Sequence, residues 1–498
     1  MVSHNSRQAE PFRRLVGSES WVLLEKLGEL LAERGIEAYI VGGWVRDTLL
    51  GRETADIDIA VAGDALEIAS GVAESLDGRY VPLDVDNKVA RVVLPDKRQL
   101  DFSAFEGTIE RDLARRDFTV NAMAVSLRQF GRESPQVIDP FKGQADVKKK
   151  IIRTVSDNVF SEDAVRLLRA ARLAAELGFI IDKPAEALIR QHSHLISSVA
   201  GERVREEFLR LLAISGAGQL KHLDELGLLI AIFPELADAK GVGQPKEHHW
   251  DVFEHSLRTV AAVDLVLQQG DWEFADKKSL AGVPWSDVLA GRFVQEVSSG
   301  STRRTLLKLA ALLHDINKPQ TKALDENGRM RFLGHAQEGA ETAVKMLQRL
   351  RFSAKEIKLV ETEVLHHLRP TQLSQSDLPT RRAIYRYFRD TGEAGIDILF
   401  LSLADHLATR GPGLIPDGWQ EHLRLVEYVI GKHSEQEKLV NPPKLLDGYD
   451  IINIFRIPVG PQVGELLEAV REARASGELT TREEALSYIS DRLKEKHA

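Results

Sequence analysis

The chain reads as an α+β protein, a small α/β head followed by an all-helical body. Two patterns predict this. Short runs rich in Val, Ile and Leu, of strand length, fall before residue 106, whereas from Phe160 onward apolar residues recur at helical spacing and strands become scarce. A third observation organises the head: Tyr39-Ile-Val-Gly-Gly-Trp-Val-Arg-Asp47, then Asp56-Ile-Asp58. These segments describe a strand, a tight glycine turn opening a helix, and a second strand with two carboxylates on one face.

In order along the head, residues 20–34 have helical spacing, and 36–41, 56–61, 79–84, 89–94 and 99–105 read as strands, with a helix at 64–76. The body opens with amphipathic helices at 160–177, 184–191, 201–214 and 218–229. After Pro245 the helical pattern continues and histidines cluster. A polar stretch at 268–303, holding Gly270, Gly282, Pro284, Gly291 and Gly300, reads as an insertion between helices. Residues 442–498 form a helical tail whose Glu-rich runs, Glu472 to Glu484, read as solvated faces. The expected segments are a head (1–158), a helical neck and body (159–245), a histidine-bearing helical domain (246–412) and a tail (413–498).

The 498 residues, 43% of them hydrophobic, leave room for several cores. The chain contains no cysteine, so any metal must use oxygen or imidazole ligands. Met1 to Arg14 are polar and charged, and no apolar run approaches the ~18 residues of a membrane span, so a cytoplasmic protein is expected. A net charge of −9 excludes a generally cationic nucleic-acid coat and leaves local basic patches to meet RNA. Candidates are Lys148, Lys149, Lys150 and Arg153, then Arg203, Arg205 and Arg210, although such runs also occur as plain solvated helix faces.

Strand alternation makes Asp56 and Asp58 point the same way, with Ile57 and Ile59 turned into a core. Two neighbouring anions repel, and a divalent cation between them relieves this; hard oxygen ligands suit magnesium bridging substrate phosphates. Gly42 and Gly43 let backbone N–H groups approach a triphosphate, and the helix starting near Trp44 aims its positive end at the same anion. Arg46, one turn in, can add a forked contact to phosphate oxygens. Singly, a Gly-Gly or an Asp-x-Asp is a weak signal and far more often a plain turn. Together, in this order, they imply metal-dependent nucleotidyl transfer.

From about residue 35 to 215 the chain resembles class II tRNA nucleotidyltransferases, the group of CCA-adding, CC-adding and A-adding enzymes and bacterial poly(A) polymerases. The resemblance rests on Val41-Gly-Gly-Trp-Val-Arg-Asp47, Asp56-Ile-Asp58, Arg115-Arg-Asp-Phe-Thr-Val-Asn-Ala122, Asp139-Pro-Phe-Lys-Gly143 and Glu162-Asp-Ala-Val-Arg-Leu-Leu-Arg-Ala-Ala-Arg172. It implies a polymerase-β-like head with catalytic Asp56 and Asp58 holding Mg2+. Asp101 is either a third acidic residue near the metals or a structural strand aspartate. Arg115, Arg116, Asp117 and Asn121, the last opening a helix, are implied in contacts to the nucleotide sugar and phosphates through an Asp-held arginine; a structural ion-pair partner is the alternative reading for one of the two arginines. Asp163 and Arg166, three apart on one helix face, are implied to read the Watson-Crick edge of the incoming base, with Arg169 and Arg172 continuing the stripe. The implied partners are tRNA, CTP and ATP. Members that switch from CTP to ATP resemble one another in a mobile segment between the third acidic strand and the Arg-Arg-Asp motif. Here only thirteen residues, Phe102 to Ala114, lie between, which leans towards CC addition, or a specialised A- or CC-adding partner, over complete CCA synthesis.

The histidines resemble an HD-type metal phosphohydrolase in their order: His255, His314-Asp315 and Asp405, with His335 and either His366 or His367 placed for a second metal. Asn317 stands where relatives usually carry glycine. The resemblance implies a divalent transition metal of open identity, activating water against phosphomonoesters or 2′,3′-cyclic phosphates at RNA ends. Two alternatives are a poly(A) polymerase, whose relatives generally lack the histidine region, and a phosphohydrolase whose head has become an RNA-binding module, which the intact Asp56 and Asp58 oppose.

Overall fold

The computed structural model describes residues 15–52, 56–130, 135–214, 218–268, 274, 282–373, 378–438 and 445–497. The chain divides into two compact units, Met1–Val199 with His222–Ile232, and Ala200–Lys221 with Phe233–Ala498.

The first unit is built on a seven-stranded sheet of order β3-β4-β5-β2-β1-β6-β7. The strands are β1 (Ala38–Val41), β2 (Asp56–Ala62), β3 (Arg79–Asp84), β4 (Val89–Val93), β5 (Gln99–Phe105), β6 (Ala124–Ser126) and β7 (Val137–Ile138). Helices α1 (Ser18–Glu33), α2 (Gly43–Leu49), α3 (Ala65–Ser75) and α4 (Ile109–Ala114) accompany it. The pairing of β2 with β5 is parallel and sets Asp58 beside Asp101; β4 pairs antiparallel with β5 and sets Arg91 on Asp101's other side. Ile57 and Ile59 are buried while Asp56 and Asp58 face out, as alternation requires. Asp64 caps α3 by accepting the Leu66 and Glu67 N–H groups.

Three local expectations are corrected. No helix opens at Asn121: Thr119–Asn121 form one 3-10 turn, and the chain enters β6, which pairs with β1 and extends the sheet with buried Ala124 and Val125. The expected 160–177 helix is broken at Asp163, which is extended (φ −151°, ψ 100°), into Val159–Glu162 and α5 (Val165–Leu177). An aspartate offers the backbone an alternative to the helix, and its Oδ1 accepts the Val165 N–H at 3.4 Å. The 218–229 helix ends at Glu225 and resumes at Leu228–Ile232, because Gly227 takes positive φ (77°).

The second unit is helical. Helices α6 (Val252–Val266), α7 (Arg303–Leu313), α8 (His335–Arg349), α9 (Ala354–His366), α10 (Arg381–Thr391) and α11 (Gly395–Arg410) form its bundle. Inside it Lys308 is 1% exposed and donates to both oxygens of Asp264 at 3.0 Å. The expected insertion contains a helix at Asp287–Phe293 and a short hairpin; 269–273 and 275–281, with Gly270, lie outside the described residues, as do Met1 to Arg14 and 442–444. The tail helices Gly448–Phe455, α12 (Pro461–Ala475) and Arg482–His497 enclose a core of their own, including Ile451, Leu466, Val470 and Ile489. The acidic tail is not a purely solvated face. Glu472 pairs with Arg382 and Arg386 of α10, Glu478 with Arg382, and Glu468 with Arg389. Among the described residues no helix is long and apolar enough to cross a membrane.

Candidate active sites

The glycine turn between β1 and α2 forms one wall of a cleft of about 390 Å³ lined by Gly42, Gly43, Asp58, Asp112, Arg115, Arg116, Asp117, Asn121, Arg166 and Arg169. Gly42 has φ 73°, and a Cβ there would lie 3.0 Å from Arg116 Nη1 and 3.2 Å from Asp58 Oδ2. Backbone conformation and close approach therefore both demand glycine. Burial raises the Asp58 carboxyl above its ordinary range, opposed by Arg116 and reinforced by Asp101 and Asp56. Asp58 with Asp56 and Asp101 beside it on one sheet face is an all-oxygen donor set suited to a hard divalent cation.

The structure redistributes the arginines. Arg46 does not present its fork to the cleft. It is 6% exposed, gives Nε and Nη2 to the two oxygens of Asp47 (2.9 and 2.8 Å), and gives Nη1 to Asn121 Oδ1 (2.6 Å). Asn121 in turn donates to Asp117 Oδ1 (3.1 Å), whose Oδ2 accepts from Arg169 (3.2 Å). This relay runs beneath the turn and ties α2 to α5. The expected Asp-held arginine exists, but its holder is Asp112 rather than Asp117: Asp112 takes Arg115 at 2.9 Å and Arg116 at 3.1 and 3.2 Å. Sequence reasoning passed over Asp112, although it lies three and four residues before those arginines, one helical turn away.

Asp163 and Arg166 do not share a continuous helix, yet Arg166 Nε lies 4.0 Å from Asp163 Oδ2, and Arg166 Nη2 donates to the Arg115 carbonyl (2.9 Å). Arg172 is not among the cleft-lining residues; it is 8% exposed and pairs with Glu176. Asp101 gives both oxygens to Arg91 (2.7 and 2.8 Å). Arg91 was not legible as a site residue, because only strand register places it there. Among the basic-patch candidates, Arg153 is spent on Asp146 and Asp182 and Arg205 donates to the Arg351 carbonyl, while Lys148, Lys149 and Lys150 stay exposed.

In the second unit five helices converge. His255 comes from α6, His314 and Asp315 follow α7, His335 opens α8, His367 follows α9, and Asp405 lies on α11. His314, His335 and His367 each place Nδ1 against a carbonyl, of Ala311, Phe332 and Val364 (2.9, 2.6 and 2.7 Å). At His335 and His367, which burial holds neutral, these contacts assign the proton to Nδ1 and leave Nε2 a bare acceptor; at His314, burial is outweighed by Asp315, which favours the charged ring. His335 and His367 then face each other Nε2 to Nε2 at 3.4 Å, with Asp315 Oδ1 at 3.4 and 3.8 Å. Three acceptors converging in a buried place are reconciled by a cation, so this set fits a metal. On the other side of Asp315, Oδ2 meets His255 (3.4 Å) and His314 (3.2 Å), and Asp405 Oδ1 lies 3.2 Å from His255 Nε2. Of the two candidate neighbours it is His367, not His366, that faces the cluster. Burial holds His367 at about 3 and so neutral, as a ligand must be. Burial opposes ionisation of Asp315, but His314 and Lys318 overcome it and hold the carboxyl well below its usual range. Lys318 (2.6 Å from Asp315 Oδ2) and His248, which burial lowers to about 4, stand beside the cluster and were missed in the sequence.

A sheet-borne carboxylate row under an arginine-lined cleft, joined in one chain to a helical His–Asp centre, defines a nucleotidyltransferase carrying an HD domain. Family models agree in order: residues 38–153 match the poly A polymerase head domain, 178–240 the probable RNA and SrmB- binding site of polymerase A, and 252–410 the HD domain. The chain is 34% identical over 459 residues to an A-adding tRNA nucleotidyltransferase of Deinococcus radiodurans, covering 91% of this chain and 94% of that one. It is 33% identical over 463 residues to a CC-adding tRNA nucleotidyltransferase of Thermus thermophilus, covering 91% and 93%. The chain belongs to the tRNA nucleotidyltransferase family. In fold it is similar to a CCA-adding enzyme solved with ATP (TM-score 0.63, 20% identity, 98% and 97% covered) and to the Thermotoga maritima CCA-adding enzyme solved with tRNA (TM-score 0.59, 22% identity, 97% and 98% covered).

Proposed function

We propose that the chain extends the 3′ end of tRNA by transferring cytidylate from CTP, and that it stops after CC. The observation carrying the second half is the connection after Asp101. Its thirteen residues are spent on the rest of β5 to Phe105 and on α4 from Ile109, leaving Glu106 to Thr108 as the only link. So short a link gives no lever for re-sorting the base pocket from cytosine to adenine.

In this reading Asp56 and Asp58 hold magnesium, which when bound activates the RNA 3′-hydroxyl and screens the phosphates. The Gly42 N–H is spent on the Met123 carbonyl (3.2 Å), so the Gly43 N–H and the Asp112-anchored Arg116 bind the triphosphate, and the Arg46–Asn121–Asp117 relay keeps that wall rigid. Asp163 and Arg166 offer an acceptor and a donor to the base edge. The hydroxyl oxygen bonds the α-phosphorus and pyrophosphate leaves. A tRNA substrate is in keeping with work in the cytoplasm.

The facing Nε2 atoms of His335 and His367 across Asp315 support a second reading beside the first, a phosphohydrolase that takes phosphomonoesters or 2′,3′-cyclic phosphates at RNA ends. The test is labelled CTP incorporation into a tRNA transcript lacking CCA. Asp56→Ala and Asp58→Ala each lower it by about 10³-fold or more, as loss of a metal-holding carboxylate does; retained incorporation overturns the assignment.

A further inference from the structure

The row Arg91–Asp101–Asp58 runs across three adjacent strands, β4, β5 and β2, with its side chains on one face. Asp56 and Asp58 face the solvent side of β2. A single guanidinium grips both oxygens of Asp101, Nε to Oδ1 at 2.7 Å and Nη2 to Oδ2 at 2.8 Å. That fork fixes the carboxylate in one orientation, neutralises its charge and takes one lone pair of each oxygen. The Arg91 charge acts on the whole row, favoured in its charged form by Asp101 first and by Asp56 and Asp58 beyond it.

We propose that Arg91 is a positioning residue that holds Asp101 out of the cation shell of Asp56 and Asp58 in the resting protein, so that the resting head takes one divalent cation with high affinity rather than two. The inference rests on the reading of Asp56 and Asp58 as the cation site. Arg91 substitutes for a second ion: it neutralises the third carboxylate without bringing a Lewis acid to a cleft that holds no RNA. Asp101 becomes a ligand only when its fork opens to one tooth. A lysine at this position supplies the charge without the fork, so Arg91→Lys frees one oxygen.

The test counts Mn2+ bound to the full-length protein by electron paramagnetic resonance, without nucleotide or RNA. An Asp315→Asn background removes the contribution of the histidine centre, and Asp56→Ala serves as the blank. The expected result is one tight Mn2+ in the head, lost in Asp56→Ala. Arg91→Met should then gain a second Mn2+ or bind at least about tenfold more tightly, the scale of a lost opposing charge at a carboxylate. Arg91→Lys should fall between. Arg91→Met/Asp101→Asn should return to one ion, a reversal that general loosening of the sheet does not produce. If Arg91→Met does not fold, Arg91→Lys carries the same sign. An Mn2+ count and affinity that stay at the starting value in the Arg91 variants, while Asp56→Ala still removes the ion, overturn the inference alone. A count that Asp56→Ala leaves intact overturns the cation assignment beneath it.

Discussion

At the scale of single residues, the placements that follow from local periodicity were the ones legible in the sequence. Asp56 and Asp58 follow from strand alternation, and the Gly42 turn from its neighbours. Arg46 was misjudged because its partner Asn121 is 75 residues away, and Arg91 was invisible because a strand partner is set by register, not by spacing. At Gly42 an added methyl meets both a positive φ and Asp58, so Gly42→Ala should cost about 1 kcal/mol of stability and lower CTP turnover at least tenfold (~1.4 kcal/mol); turnover equal to wild type contradicts the close approach. Glu363 gives a pH prediction. It is 0% exposed, neither carboxylate oxygen has a hydrogen-bond partner, and burial followed by the charge of Asp397 raises its carboxyl well above normal. A raised folded value means no cost below the unfolded pKa. Between the unfolded and folded values stability falls as pH rises, because the unfolded chain ionises first. Glu363→Gln should therefore be close to neutral at about pH 4 and become progressively stabilising towards pH 8, by up to about 1.4 kcal/mol per pH unit. Chemical denaturation at several pH values checks this, and a constant difference contradicts it.

Elements were legible where their pattern was long, and failed where one residue interrupts it. The amphipathic repeat over 160–177 is real, but Asp163 and its neighbour turn it into two helices, and Gly227 does the same further on. The tail's acidic residues looked solvated because their partners on α10 lie far away in sequence. Glu472 receives both Arg382 and Arg386 and is only 13% exposed as a side chain, so a charge network links α12 to α10. Glu472→Arg should weaken that contact by about 1 kcal/mol, read as faster limited proteolysis of the tail, and raised salt should do the same to the native protein. Proteolysis unchanged by either treatment contradicts it. In the α6–α7 pair, Lys308→Met should destabilise the fold by about 3 kcal/mol because it removes the buried cation that both oxygens of Asp264 meet, measurable as a lower midpoint in urea.

For the whole molecule, the division into a mixed head and a helical body was legible because strand and helix periods change along the chain. The two centres use separate residues and different donor chemistry, oxygen in the head and imidazole with carboxylate in the body. Asp315→Asn should abolish opening of a 2′,3′-cyclic end to its phosphomonoester while CTP incorporation stays within about twofold; a parallel loss of both contradicts separate centres. The central claim is that the head adds C to tRNA and stops at CC. Its most direct measurement is incorporation of CTP and ATP, separately, into three tRNA transcripts: one ending before CCA, one after the first C, and one after CC. The account predicts two cytidines on the first, one on the second, and neither nucleotide on the third. Addition of A to the transcript ending in CC would contradict it.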